Sequence, residues 1–321
     1  MPADISFASF NLYNFQKAGL TTYGSEPVTP EAYAAKRDWI RAMLIRMDAD
    51  VVALQELWHP DCLRDVLAVP ELADYEPVFI GPEWYNIAVA MLVRRPWQVT
   101  EKENIKRFRF SKLVKLDEGD GRDDEVAVSI NQFSRTIIKA TIEHISDSRT
   151  PPLTVFACHL KSKLPAQVSG IARAYSGAVG SALATIRRTA EATALRILLV
   201  DHMRGSGTPT VVMGDLNDDP LSNILSLISE LPSMTPRARG VDKALYSTLF
   251  LQQLKSFRDV FYTHQHEHHR SVLDHILVSE EFFEYSLDCI WKHQDTRIFN
   301  DHIDDDHPYS SDHGIICSAF R

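Results

Sequence analysis

Cysteine is scarce in this chain: Cys62, Cys158, Cys289 and Cys317 are the four thiols in 321 residues. Cys158 and Cys317 lie in apolar, strand-like runs, which argues for buried thiols and against a disulfide framework or a zinc cluster. Positive charge is also short. Lys and Arg number 34 against 43 Asp and Glu, a net charge of -9. No global basic field recruits a polyanion, so a polyanionic substrate must be held locally, by metal or by a few arginines. Long hydrophobic runs are missing as well. No stretch is apolar enough to span a bilayer, and no amphipathic anchor offers itself to a membrane surface. The N-terminus lacks a charged region followed by an apolar core. Together these predict a reduced, cytoplasmic protein with no stable membrane association.

What is present is ordinary for a globular chain, 45% hydrophobic and 24% charged. Length alone permits two domains, but sandwich and α/β architectures of this size often form one. A single domain over 1–321 is the expectation.

The central stretch is Val211-Val212-Met213-Gly214-Asp215-Leu216-Asn217-Asp218-Asp219-Pro220. Its apolar start reads as a buried strand, and its end carries acids and an amide. Asp215 and Asn217 are two apart, so in an extended chain they point the same way. The plain alternative is an Asx turn closed by Pro220. Similar endings recur. Asn11 closes an alternating first strand, a position that usually belongs to a turn former. Glu31–Met47 has helical spacing, and Asp50–Leu54 is a strand running into Gln55-Glu56. Residues 61–74 read as a short helix, and Tyr75–Ile80 and Ile87–Val93 as two more strands.

Lys102, Lys106, Arg107, Arg109, Lys112 and Lys115 interleave with Phe108 and Phe110. That pattern can track a nucleic-acid backbone; an edge strand guarded by cations is the more ordinary explanation. Asp117–Glu125 reads as a solvated loop. Ile130–Ile145 reads as a strand with Phe133-Ser134-Arg135 near its start. Leu153–Lys161 is a strand with His159 at its end, a place where a satisfied core histidine is common. Residues 165–180 predict a flexible crossing. Ser181–Met203 predicts a helix capped by Ser181, with Arg187, Arg188 and Arg196 on a solvated face. Leu221–Leu231 reads as a short helix, and Arg258–Phe261 as the start of a strand. The tract His264-Gln265-His266-Glu267-His268-His269 predicts a hairpin loop and not a metal centre. Asp274 is embedded in the apolar strand Ser271–Val278 and needs a partner or must lose its charge. Asp312-His313 opens the last strand.

Asn11, Glu56, His159, Asp215, Asn217, Asp312 and His313 thus each stand at a predicted strand end. One or two could be turns; seven are better explained by a shared mouth, with Asp274 a candidate partner for His313. Strands that follow one another directly favour mixed, largely antiparallel sheets with outer helices.

The ordered set Phe10-Asn11, Leu54-Gln55-Glu56, His159-Leu160, Gly214-Asp215-Leu216-Asn217, Leu273-Asp274-His275-Ile276-Leu277 and Ser311-Asp312-His313 resembles the endonuclease/exonuclease/phosphatase superfamily, the deoxyribonuclease I-like fold. The resemblance spans nearly the whole chain. It implies a four-layer α/β sandwich: two mixed, mostly antiparallel sheets face to face, with helices outside. It also implies metal-dependent hydrolysis of phosphate esters with Mg2+, or Mn2+ or Ca2+ as substitutes. By that resemblance Glu56 is the main metal carboxylate, with Asn11 beside it and Asp312 contributing. Asp215 and Asn217 orient water and phosphate, His313 is the catalytic histidine, and Asp274 fixes its tautomer. His159 matches the branch with deoxyribonuclease I, sphingomyelinases and inositol phosphatases. Phe133-Ser134-Arg135 resembles a deoxyribonuclease I motif that places an arginine on phosphate, and Tyr85 or Asn86 is a further polar candidate. Either Asp215 or His313 takes the proton from water, and His159, Asn217 and Arg135 add donors to the phosphate. A nucleic-acid substrate leads these expectations; a lipid headgroup or inositol phosphate is the alternative small phosphoester.

Overall fold

The computed structural model describes the chain except residues 1, 83, 85, 109–129, 257–261, 267–268 and 306–307. The expectations for Tyr85, for the basic stretch from Arg109 onward, for the loop 117–125 and for Arg258–Phe261 lie outside the described residues.

The first sheet is built from β1 (Ile5–Phe15), β2 (Val51–Leu57), β3 (Tyr75–Phe79) and β4 (Ala88–Arg94), completed by the late strands β13 (His293–Phe299) and β14 (Ile315–Phe320). Its order is β13-β14-β1-β2-β4-β3. The second contains β5 (Trp97–Arg107), β6 (Gln132–His144), β7 (Leu153–His159), β8 (Thr210–Asp215), β9 (Tyr246–Ser247) and β12 (Asp274–Val278), in the order β5-β6-β7-β8-β12-β9. β10 (His264–His266) and β11 (His269–Ser271) form a separate hairpin. The helices are α1 (Pro30–Met47), α2 (Pro60–Leu67), α3 (Arg173–Met203), α4 (Asn223–Ser229), α5 (Thr248–Gln253) and α6 (Asp301–Asp304).

Strand alternation sorts the core into three layers. Phe7, Val51, Ala53, Val155, Ala157, Val211, Met213, Ile276 and Val278 pack between the sheets. Their alternate neighbours face outward: Ala8, Phe10, Val52 and Leu54 meet α1 and α2, while Phe156, Cys158, Val212 and Leu277 meet α3 and α4. This is the expected four-layer α/β sandwich. The period of two then decides the site. The row Leu153, Val155, Ala157 ends at His159; the row Val211, Met213 ends at Asp215. A buried row delivers each polar group to the same inter-sheet mouth.

Gly214 lets two of these rows close up. β7 and β8 run parallel, with His159 opposite Asp215 and Cys158 opposite Gly214. Gly214 has φ +147°, and a Cβ there would stand 2.0 Å from Cys158 O. Gly214→Ala is therefore expected to cost at least about 2 kcal/mol through forced strand separation, measured by urea unfolding. A wild-type midpoint would show that the strands part easily.

Several local expectations change. The segment after β2 splits into α2 and a 3-10 turn at Pro70–Leu72, because Pro70 lacks the N–H that a continuous helix needs. The long helix begins at Arg173, without a side-chain cap, and Ser181 lies inside it. Its arginines are not a solvated face. Arg188 is 4% exposed and pairs with Asp218 at 3.1 Å. Arg187 reaches Glu191, and Arg196 holds Glu230 and the Lys243 carbonyl. Long side chains bury their stems while their charges find partners. β5, in contrast, is an edge strand, in line with cations along it.

Candidate active site

The first sheet contributes Asn11, Glu56 and the loop before β14. Asn11 is fully buried; its Nδ2 donates to Asp215 Oδ2 at 3.1 Å across the sheets. Its Oδ1 accepts from Tyr13 N. Glu56 does not follow simple alternation, which would turn it outward with Val52 and Leu54. The ladders shift register between Asn11 and Phe15 and between Leu54 and Leu57, and Glu56 has φ +61°. Such an irregularity re-aims a side chain. Glu56 Oε2 accepts from Asn14 N at 3.0 Å, and its charge is felt by Asp215 and Asp312. Tyr13, Asn14, Glu56 and Asn217 all have positive φ. Strain of roughly 1–3 kcal/mol per residue is gathered at this mouth.

Ser311 ties the last loop to the first strand. Its Oγ donates to Asn11 O at 2.7 Å and accepts from His313 N at 3.0 Å. Ser311→Ala leaves both groups without this partner, with an expected loss of about 2 kcal/mol in urea unfolding. An unchanged midpoint would mean that the loop is held elsewhere.

The proton-handling groups come from both sheets, His313 from the loop before β14 and Asp274 and Asp215 from β12 and β8. His313 Nδ1 lies 2.7 Å from Asp274 Oδ2, so the aspartate's partner is the expected one. Asp274 is fully buried, and its N–H and that of Leu273 both donate to Thr263 Oγ1. Burial opposes the charge on His313, but the carboxylates of Asp274, Asp215 and Asp312 outweigh it and raise the ring to about 10. Asp215 faces Asp274 in the β8–β12 register. Burial raises its carboxyl, with His313 opposing and Asp274 and Glu56 adding. Asn217 N donates to Asp215 Oδ1 at 2.9 Å, and its Nδ2 donates to Leu160 O at 3.1 Å.

His159 is not a satisfied core histidine. Its Nε2 is 3.5 Å from Asp215 Oδ2, and its buried Nδ1 has no hydrogen-bond partner. Burial, helped by Arg135 and His313, holds its pKa well below the usual histidine range. Their surroundings thus push these two imidazoles in opposite directions, His313 up and His159 down. Arg135 donates to Leu160 O at 3.2 Å, the oxygen that Asn217 also uses.

Two residues escaped sequence reasoning. The histidine tract does form a hairpin, but His264 reaches the site: its ring is 4.9 Å from His313, and its backbone bridges that residue. His264, Asp312 and His313 offer ligand atoms within 4.8 Å of one another, as do Asp215, Asp274 and His313. Glu56 belongs to neither trio. Lys36, on α1, donates to Tyr13 O at 2.6 Å. Burial pushes it down to about 8, against the pull of Asp312 and Glu56. The alternating pattern of His264 with His266 was the one available signal for the first; Lys36 gave none.

The donors suit a hard cation. Glu56, Asp312 and the Asn11 amide carry side-chain oxygens, the donor type that such a cation takes. The Asp312 carboxyl is raised by burial and by the Glu56 charge, with His313 opposing, a repulsion that a divalent ion relieves.

The fold and this mouth define a class, and the sequence places the chain in it. Residues 8–313 match the Endonuclease/Exonuclease/phosphatase family, and the chain belongs to that family. Its members are phosphoester hydrolases and generally use a divalent metal. A family protein from Bacteroides thetaiotaomicron is 15% identical with TM-score 0.60, covering 100% of this chain and 95% of that one. Humanized D. rerio TDP2 is 14% identical, TM-score 0.58, covering 99% of each chain. The mannosyl-6-phosphatase of Bacteroides thetaiotaomicron is 15% identical, TM-score 0.58, also covering 99% of each. These identities speak for the fold alone. No curated protein matches the chain in sequence. No helix among the described residues is long and apolar enough to cross a membrane.

Proposed function

We propose that this protein is a divalent-metal-dependent phosphodiesterase of nuclease type, acting on DNA or RNA. The observation that carries the reading is the meeting of the Asp274–His313 pair with Asp215 and Asn11 across the two sheets. Mg2+ is the ion proposed, held by Glu56 and Asp312 with Asn11 alongside. It would neutralise phosphate charge and stabilise the developing pentavalent centre.

The chain's own groups supply the rest. His313, kept protonated by Asp274, places a positive donor where phosphate charge builds. Asp215 is the base: its burial-raised carboxyl takes the proton from the attacking water, and the Asn217 N–H on Oδ1 and the Asn11 amide on Oδ2 fix its orientation. A protonated His313 cannot itself accept that proton. His159 is neutral and offers a ring nitrogen to the phosphate, with the Asn217 amide beside it. Arg135 extends the donor set outward.

A metal-supplemented screen tests the reading, with plasmid, single-stranded oligonucleotides, sphingomyelin micelles, inositol phosphates and sugar phosphates as substrates and Asp215→Asn as control. Cleavage of nucleic acid by wild type alone is expected. Preferential release of phosphocholine or of free phosphate would overturn the nuclease assignment, and inertness towards every ester would overturn the hydrolase reading.

A further inference from the structure

Beside the mouth lies a cavity that the chemistry above touches at Arg135 alone among its described lining residues. Arg135 stands at the junction, because it and Asn217 share Leu160 O as acceptor. The cavity encloses about 620 Å3, and Lys106, Arg135 and Lys161 line it together with Tyr23 and Trp84. No carboxylate is among the described lining residues. The nearby Glu191 is spent elsewhere: Oε1 accepts from Ser134 N and Oγ, and Oε2 accepts from Lys161 N. Arg187 is also bound to it.

Of the three cations, Lys106 keeps most of its donors free among the described residues. Lys106 Nζ uses one on Ser134 O at 3.1 Å, of the three an ammonium has. Lys161 Nζ spends its three donors on Ser162 O, Ser162 Oγ and Leu164 O, so it acts on the cavity as a fixed charge and not as a donor. Burial and then Arg135 lower the pKa of Lys161; burial lowers Lys106, with Arg187 and Arg135 adding to it and Glu191 opposing. Among the described lining residues, three cations stand together with Glu191 behind the wall as their counter-charge, and an anion in the space would be drawn to them. The aromatic walls add a second demand. Trp84 is anchored through Nε1 to Leu57 O at 3.1 Å, and Tyr23 stands edge-on to Trp58 at 4.9 Å. Fixed rings beside a cationic wall suit a base attached to a phosphate.

We propose that this cavity is a neighbouring-nucleotide subsite. Lys106, Arg135 and Lys161 hold a second phosphate while Trp84 and Tyr23 flank its base, so the preferred substrate carries a phosphate next to the scissile phosphodiester. The inference rests on the nuclease reading and narrows it to strands or short oligonucleotides over isolated phosphoesters. It also gives Lys106 a role beyond guarding the edge of β5.

Three thymidine dinucleotides test it: one unphosphorylated, one with a 5′-terminal phosphate and one with a 3′-terminal phosphate. One terminal phosphate is expected to raise kcat/KM by about tenfold. Lys106→Ala should shrink that advantage to about twofold and lower the salt slope of binding by about 1; Lys106→Arg should keep most of it. The same preference is read by calorimetry on Asp215→Asn protein, which needs no turnover. Equal kcat/KM for all three substrates, or an advantage that Lys106→Ala leaves intact, would overturn the subsite. A binding preference without hydrolysis by wild type would support the subsite and overturn the nuclease reading instead.

Discussion

Asp274→Asn is expected to lower kcat by roughly a thousandfold or more, by analogy with removal of the orienting carboxylate in a catalytic triad, while KM changes little. The physical reason is local. Asp274 Oδ2 is 2.7 Å from His313 Nδ1, and the aspartate is fully buried. It both fixes the ring and supplies the largest push against the desolvation that would otherwise neutralise it. An asparagine keeps the volume and loses the charge, so the ring returns towards neutrality and a donor to the phosphate is lost. The sign of the stability effect follows from the same shift. The folded-state pKa of His313, about 10, lies above its ordinary 6.5, so the folded state binds the proton more tightly. The stabilisation is complete below 6.5 and disappears as pH rises through about 10. The gap in unfolding free energy between wild type and Asp274→Asn should therefore be largest just below 6.5 and close towards 10. Urea titrations across that range, beside steady-state kinetics, check both halves. A variant with wild-type kcat would remove His313 from the chemistry.

What could be read from the chain is what obeys a period. Val211 and Met213 face the core, so Asp215 at the next alternate position faces the mouth; Ile276 and Val278 do the same for Asp274. Burial patterns fixed these residues without any contact being known. Glu56 is the instructive exception. Alternation would place it outward with Leu54, and only the register shift and its positive φ turn it towards the mouth. Irregular backbone leaves little trace in a hydrophobic pattern, and its place at a strand end together with motif order, not alternation, made that residue visible. His264 was passed over because a hairpin loop far along the chain gives no sign of its docking. The bonds that dock it run through Thr263, from Leu273 N, Asp274 N and Gly314 N. The helix arginines misled for a similar reason. Arg188 looks like a surface residue by type, yet Asp218, just beyond β8, draws it into a buried pair.

Glu56→Gln is expected to lower kcat/KM at fixed Mg2+ by roughly a thousandfold, the scale of several kcal/mol of charge stabilisation. It should also weaken the ion's effect on folding. A ligand present at a hundred times its Kd stabilises the native state by about 2.7 kcal/mol, so Mg2+ should raise the Tm of wild type and raise that of Glu56→Gln far less. Glutamine retains an oxygen for the Asn14 N–H that Glu56 Oε2 accepts, which separates loss of charge from loss of the strand-end geometry. The Tm shift reads metal binding without turnover, so it discriminates between two ways of seating the ion. Oxygen ligation by Glu56, Asp312 and Asn11 predicts that Glu56→Gln and Asp312→Asn both lose the shift while His264→Ala keeps it. Seating in the trio His264, Asp312 and His313 predicts the reverse for Glu56 and His264. The second arrangement asks Mg2+ to take imidazole nitrogens, donors that suit it less well than carboxylate oxygens. A Mg2+ shift that survives in Glu56→Gln but vanishes in His264→Ala would transfer the ion to the hairpin and end the role assigned to Glu56.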